Sequence, residues 1–294
     1  MSTWQELKEG EKITGFFFVR EKEMKQAING SDYGSFLLER HLERIPAKMW
    51  DIGEELQKNV QKKTLVKVEG VISSYRNKKE LTIQKMRLAK DDDKVNVTEL
   101  LTKKGLSREV LWLELRTCMD DIQNESLKKL VMTVYGQRYI REKITTLPAS
   151  KQRHHAYYAG ELEHIVELCQ TATQLFPLYQ HVNRDIVLAA CTLHNIGIVR
   201  VLDDPFAPSY TNEGKLLGQI LLTFEIIHEA IFEAGIDKSN QELLHMKHCI
   251  ASQYGPIDNA WGSAVNPSTP EAIFFHHIKE LNAKVHTNST ESNE

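Results

Sequence analysis

At 294 residues the chain is long enough for two ordinary domains. Its 41% hydrophobic and 26% charged residues are those of a soluble globular protein, and no run approaches the roughly 18 apolar residues a membrane span needs. The net charge of −3 excludes a strongly basic or acidic chain overall, so any anionic partner must be met by a local patch.

In chain order, the opening MSTWQELKEGEK is polar and lacks an apolar signal core, which predicts a cytoplasmic protein. Strands are predicted over 12–20, carrying Phe16, Phe17 and Phe18, over 35–39, and over 46–50, ending at Trp50. The stretch 51–63 is expected to hold a short helix. Alternating apolar residues then predict a strand over 64–74, a hairpin over 75–79 and a strand over 81–88 with a bulge near Lys85. Five strands with one wide gap suit a small Greek-key barrel. Between Gln61 and Lys90 nine basic residues face two acidic ones, a local charge of about +7 suited to a phosphate backbone.

The charge-dense KDDDK at 90–94 sets the expected boundary, giving a barrel over 1–92. Apolar spacings of three and four predict helices from there on: a connector over 93–150 that packs on the next domain, a helical domain over 151–286, and a flexible tail over 287–294. The last helix has Ser268 or Thr269 as its cap and Pro270 in its first turn. Four dispersed cysteines, Cys118, Cys169, Cys191 and Cys249, form no CxxC pair and predict buried thiols. The fold class expected is therefore multidomain α+β, a five-stranded barrel followed by an all-α domain.

Histidines concentrate after position 150, with His154, His155, His164, His194 and His248 in helical surroundings. Such clustering points to metal or phosphate. One histidine on an amphipathic helix is more often a packed or solvated residue, and spacing alone does not separate the readings. Cys191 with His194 gives C-x-x-H without a partner pair, which reads as core packing.

Taken together and in order, eight stretches make the chain resemble the YhaM-type 3'-to-5' exoribonucleases, which join an OB-fold barrel to an HD metal-phosphohydrolase domain. They are AKMWD (47–51), VKVEGVISSYRNKKELTIQKMRLA (66–89), HHAYYAGELEH (154–164), LAACTLHNIG (188–197), YTNEGKLLGQI (210–220), MKHCIASQYG (246–255), WGSAVNPSTPEA (261–272) and HHIKELNAK (276–284). The resemblance implies an N-terminal OB barrel, a C-terminal HD-type domain and divalent-metal chemistry on phosphodiesters, in which metal generates hydroxide and neutralises charge at phosphorus. It also implies a metal set that this chain has partly lost. The His-Asp pair reads His194-Asn195, LLGH reads with Gln219, SHHG reads with Gln253-Tyr254, and DNLDAK reads with Glu280-Leu281-Asn282. Neutral amides at Asn195 and Asn282 do little to offset the repulsion between two dications.

His164, His194 and His248, helped by His155, remain as candidates for one divalent ion, Mn or Zn, with no metal at all as the other reading. On the barrel, Trp50, Tyr75, Arg76, Lys78 and Lys79 are expected to meet nucleic acid, as are His154 and His155 on the helical domain; the competing reading is core aromatics and solvated lysines. Two functions stay open: a binder of single-stranded RNA or DNA whose HD domain is weak or inactive, alone, as a homo-oligomer or with an active relative, and a working exoribonuclease with a rearranged metal site. A small-molecule nucleotide phosphohydrolase would leave the barrel without a purpose.

Overall fold

Period-two alternation builds five strands: β1 (Lys12–Gln26), β2 (Asp32–Arg40), β3 (Glu43–Trp50), β4 (Leu65–Tyr75) and β5 (Lys78–Leu88). In this computed structural model, which describes residues 4–27, 30–75, 78–97, 100, 107–257 and 263–291, they close into a barrel in the order β1-β2-β3-β5-β4. The short parallel pairing of β3 with β5, Ala47 to Met49 against Leu81 to Ile83, and the antiparallel pairing of β1 with β4 complete the OB-type circuit. The inward residues Phe17, Val19, Leu38, Val66, Val68, Ile72, Leu81 and Ile83 form the core. Gln84 is the extra residue of a bulge facing Glu69 and Gly70, beside Lys85, where the alternation of β5 breaks. The short helix α1 (Glu54–Asn59) occupies the gap before β4.

The first three strands are longer than their apolar runs suggest, β1 most of all. The second half of β1, Glu21 to Gln26, is mostly exposed and polar, and pairing with β2 extends it. By the density of its internal contacts the chain divides into Met1–Gly105 and Leu106–Glu294, so the boundary falls after the KDDDK stretch. The reason is local bonding: Asp93 accepts from both terminal nitrogens of Arg87 on β5 at 2.7 Å, and the His41 N–H donates to the Leu100 carbonyl.

The second unit is all helical. In chain order its described helices are α2 (Arg108–Asp120), α3 (Glu125–Gly136), α4 (Arg138–Ile144), α5 (Gly160–Leu175), α6 (Arg184–Leu193), α7 (Ile198–Val201), α8 (Asn212–Leu216), α9 (Gly218–Glu233), α10 (Gln241–Ala251) and α11 (Pro270–Glu291). Asn124, Asn183 and Asn240 cap α3, α6 and α10, and Thr269 accepts from the Ala272 N–H at the start of α11. Helix α2 packs on α5, α3 on α6 and α9, and α6 is enclosed by α5, α10 and α11. Leu115, Leu130, Leu162, Leu168, Leu193 and Phe275, all fully buried, lie in one continuous core.

Two helix ends depart from the apolar pattern. The run RDIVLAACTLHNIGIV breaks after Leu193, because Gly197 passes so close to α9 that a Cβ there would lie 2.6 Å from the Gln219 carbonyl oxygen and the Thr223 nitrogen. At the other end, α11 continues through His286 to Glu291, where a frayed tail was expected. His286 is held by Glu167 at 2.9 Å, which keeps the polar turns helical. Among the described residues no helix is long and apolar enough to cross a membrane.

Candidate functional site

The site lies where α5, α6 and α11 meet the loop that precedes α5. That loop is held by backbone bonds from the Ala149 N–H to the His155 carbonyl and from the Ala159 N–H to the Thr146 carbonyl. His155 (φ 47°) and Ala159 (φ 59°) take left-handed conformations to make the bend. Gly160 then has to be glycine, since a Cβ would fall 2.1 Å from the His155 carbonyl oxygen. The motif HHAYYAG is thus a backbone device that lays His154 and His155 against the first turns of α5, whose own His164 faces them. Ring centroids of His154 and His155 lie 4.7 Å and 5.1 Å from that of His164.

Hydrogen bonds fix how these rings present their nitrogens. Asn282 on α11 donates its Nδ2 to Glu167 at 2.7 Å, which turns its Oδ1 toward His164 Nδ1, also at 2.7 Å. His164 Nδ1 is therefore the donor, and in the neutral ring Nε2 carries the lone pair. His194, at the end of α6, gives its Nδ1–H to the Cys191 carbonyl at 3.0 Å and so presents a bare Nε2 as well. These two Nε2 atoms stand 3.3 Å apart. His155 donates Nε2–H to Glu167 at 2.9 Å, and the Nδ1 atoms of His154 and His155 are buried without a hydrogen-bond partner in the protein. Glu161 Oε1, Gln219 Nε2 and Gln253 Oε1 are likewise buried and unpartnered.

Charge in this region is arranged around a buried acid and a buried amine. Burial pushes the Glu161 carboxyl up to about 8, with the hydrogen bond from Asn195 opposing. Burial brings Lys279 down to about 8, with Glu161 opposing, and its Nζ lies 4.1 Å from the centre of the Tyr254 ring. Desolvation, aided by the Lys279 charge, lowers His154 to about 3 and holds His164 and His194 well below the usual imidazole range. Burial alone would raise Glu167, yet hydrogen bonds from His155 and Asn282 hold it at about 2.

A two-metal centre does not fit these residues. Asn195 points its amide nitrogen at Glu161, 2.5 Å away, so it acts as a donor where a ligand would need a lone pair. Asn282 spends both ends of its amide on His164 and Glu167. Lys279 adds a positive charge to the same region. A single ion held by imidazoles is compatible with the donor set, because the His164 and His194 lone pairs otherwise face each other.

Of the residues expected at a metal, His164 and His194 come together and His248 does not join them. On α10, His248 Nε2 accepts from the Ser268 N–H at 3.0 Å and helps position the start of α11. Among the described residues the groups of three metal-ligand side chains are His154-His155-His164, His155-Glu167-His286 and His276-His277-Glu280. His155 is 2% exposed, so its place is inside this cluster. Gln253 is buried and reaches toward the His194 carbonyl at 3.5 Å, while Gln219 follows the sharp turn at Gly218 beside Gly197. Sequence reasoning missed Glu161, Glu167, Lys279 and His286. The available signal was the three-to-four spacing of Glu161, His164 and Glu167 on one helix and of Lys279, Asn282 and His286 on another. A groove of about 660 Å³ lined by Arg108, Trp112, Arg116, Tyr135 and Arg141 lies elsewhere on the helical unit.

On the barrel, Trp50 is 42% exposed and its ring lies 4.9 Å from that of Tyr33, with Lys48 over Tyr33 at 5.9 Å. Phe17 and Phe18 are buried, and Lys67 lies over the half-buried Phe16 at 5.6 Å. Lys78 is exposed, whereas Lys79 donates to the Leu7 carbonyl at 2.8 Å. Arg76 and the Tyr75 side chain lie outside the described residues. A groove of about 420 Å³ lined by Met49, Lys67, Glu69, Gln84, Lys85, Met86 and Arg87 adds three cations that sequence reasoning had counted without grouping.

Among known proteins, the chain is 32% identical over 276 residues to the 3'-5' exoribonuclease YhaM of Geobacillus sp. (strain WCH70), covering 94% of this chain and 83% of that one. It is 30% identical over 276 residues to the 3'-5' exoribonuclease YhaM of Oceanobacillus iheyensis, covering 94% and 85%. No family model matches. Two solved structures resemble part of it: a replication protein A heterotrimer bound to ssDNA (18% identity, 29% of this chain and 62% of that chain, TM-score 0.23) and the second OB-fold domain of replication protein A from Methanococcus maripaludis (17%, 30% and 94%, TM-score 0.25). The barrel's topology rests on its own strand order.

Proposed function

The chain belongs to the YhaM family of 3'-5' exoribonucleases, and from that premise we propose that it is a member that binds single-stranded nucleic acid and whose HD-type helical domain is catalytically weak or inactive. The observation that carries this reading is the orientation of Asn195, whose Nδ2 donates to the buried Glu161 at 2.5 Å. A side chain committed as a donor withdraws from metal ligation, and Asn282, hydrogen-bonded at both ends, withdraws a second expected ligand. Trp50 with Tyr33 forms the stacking platform of the barrel, and Lys78 with Lys67, Lys85 and Arg87 tracks phosphates.

The test uses the purified full chain with Mn²⁺ and, separately, Mg²⁺, on a single-stranded RNA labelled at its 5' end. The expected outcome is a retarded complex with the RNA left at full length. Rapid metal-dependent shortening from the 3' end would establish the alternative, a working exoribonuclease. Replacing Lys78 and Lys79 by Ala should weaken the complex and reduce the slope of affinity against salt; an unchanged slope removes the hairpin from the interface.

A further inference from the structure

We infer that His154, His155 and His164 form a site for one zinc-type divalent ion, a ligand set different from the one expected at the centre of the helical unit. Each of the three offers a nitrogen within 4.8 Å of the other two. Two of them present a bare nitrogen because the opposite ring nitrogen is already used as a donor. His155 gives Nε2–H to Glu167, which leaves the buried Nδ1 with no partner in the protein. His164 gives Nδ1–H to Asn282 Oδ1, which leaves Nε2. His154 Nδ1 is also buried and unpartnered.

This is the arrangement in which imidazole ligands are found at zinc. The coordinating ring nitrogen faces the ion, while the other donates to a carboxylate or carbonyl that fixes the ring and raises its basicity. Glu167 supplies the carboxylate behind His155 directly and behind His164 through Asn282. Tetrahedral zinc with Zn–N bonds of 2.0–2.1 Å needs nitrogens roughly 3.3 Å apart, so the three, which lie within 4.8 Å of one another, have to draw closer as the ion binds. A donor set of imidazoles without a coordinating carboxylate selects borderline ions such as Zn²⁺, Co²⁺ or Ni²⁺ over Mg²⁺ and Mn²⁺. Lys279 sits close enough to add repulsion, so the site takes one dication and not two.

The proposal is independent of whether RNA is cleaved, and its readout is metal. Equilibrium dialysis of the stripped full chain against Zn²⁺ should give about one ion per chain, and Co²⁺ should produce the visible absorption bands of a tetrahedral site. His155→Ala and His154→Ala should each lower zinc affinity about 100-fold or more, and Glu167→Gln about 10- to 100-fold through the lost outer partner. Lys279→Met should raise affinity. Far-UV circular dichroism checks that each variant is folded, and Glu167→Gln keeps a polar side chain if the alanine variants unfold. His248→Ala should bind zinc as the unaltered chain does. No zinc bound at micromolar concentration would overturn the assignment, as would loss in His248→Ala with full binding in His155→Ala, or two Mn²⁺ bound per chain.

Discussion

The barrel and the helical unit bury different things. In the barrel the interior is apolar, from Phe17 and Leu38 to Val68, Leu81 and Ile83, and among the described residues the one buried charge, Glu39, is met by Arg20 at 2.6 Å. In the helical unit the core is interrupted by a polar region containing Glu161, His155, His164, His194, Asn195, Gln253 and Lys279, several with unpartnered atoms. An unpartnered buried polar atom costs on the order of 1–3 kcal/mol, so such a cluster persists only at the expense of stability. The barrel therefore keeps its polar side chains almost wholly outside, and the helical unit draws a cluster of them inside. A substitution in one should be felt as affinity or as stability, and in the other as both together.

The largest expected effect sharpens that contrast at the barrel core. Leu81→Ala should destabilise the barrel by about 2–5 kcal/mol in chemical denaturation while leaving metal binding by the helical unit unchanged. Gly160→Ala should cost about 1–3 kcal/mol and disturb the histidine cluster at the same time, because the added Cβ displaces the His155 backbone; calorimetry with a metal titration reads both. Trp50→Ala should leave thermal unfolding nearly unaltered and weaken single-stranded RNA binding by about 1–3 kcal/mol, measured by fluorescence anisotropy.

The smallest effect is a slope. The Glu161 carboxyl, raised from 4.5 to about 8, keeps its proton in the folded chain where the unfolded chain has released it. Its contribution to stability is complete below about pH 4.5 and is lost as pH rises toward 8. Glu161→Gln should flatten the fall in stability across that window in denaturation curves taken at several pH values. A slope identical to that of the unaltered chain would show that the Glu161 carboxyl titrates alike in the folded and the unfolded chain.

The barrel was legible because half-buried strands write their inward residues at every second position, as in Val66-Val68 and Leu81-Ile83. The second half of β1 was hidden because Glu21 to Gln26 places polar side chains in solvent and carries no apolar alternation. In the helical unit the histidines were visible as residue types, whereas the break after Leu193 that puts His194-Asn195 at a helix end depends on the close approach at Gly197. Which histidines converge was not legible, since the meeting of His154 and His155 with His164 depends on two left-handed residues and the close approach at Gly160. Lys279 was hidden for a related reason: a lysine between His277 and Glu280 reads as a solvated face until α11 is seen packed against both α5 and α6.

The end of α11 carries one more consequence. Glu167 is reached by His155 from the loop, by Asn282 from the body of α11 and by His286 four residues further along the same helix. The His286 ring also lies 3.8 Å from that of His155. One carboxylate thus ties the C-terminal part of the longest described helix to the histidine cluster, like a latch whose bolt is the turn that carries His286. A reporter or affinity tag joined directly after that turn would sit beside the cluster, and a shortened chain ending at Val285 would leave the latch open.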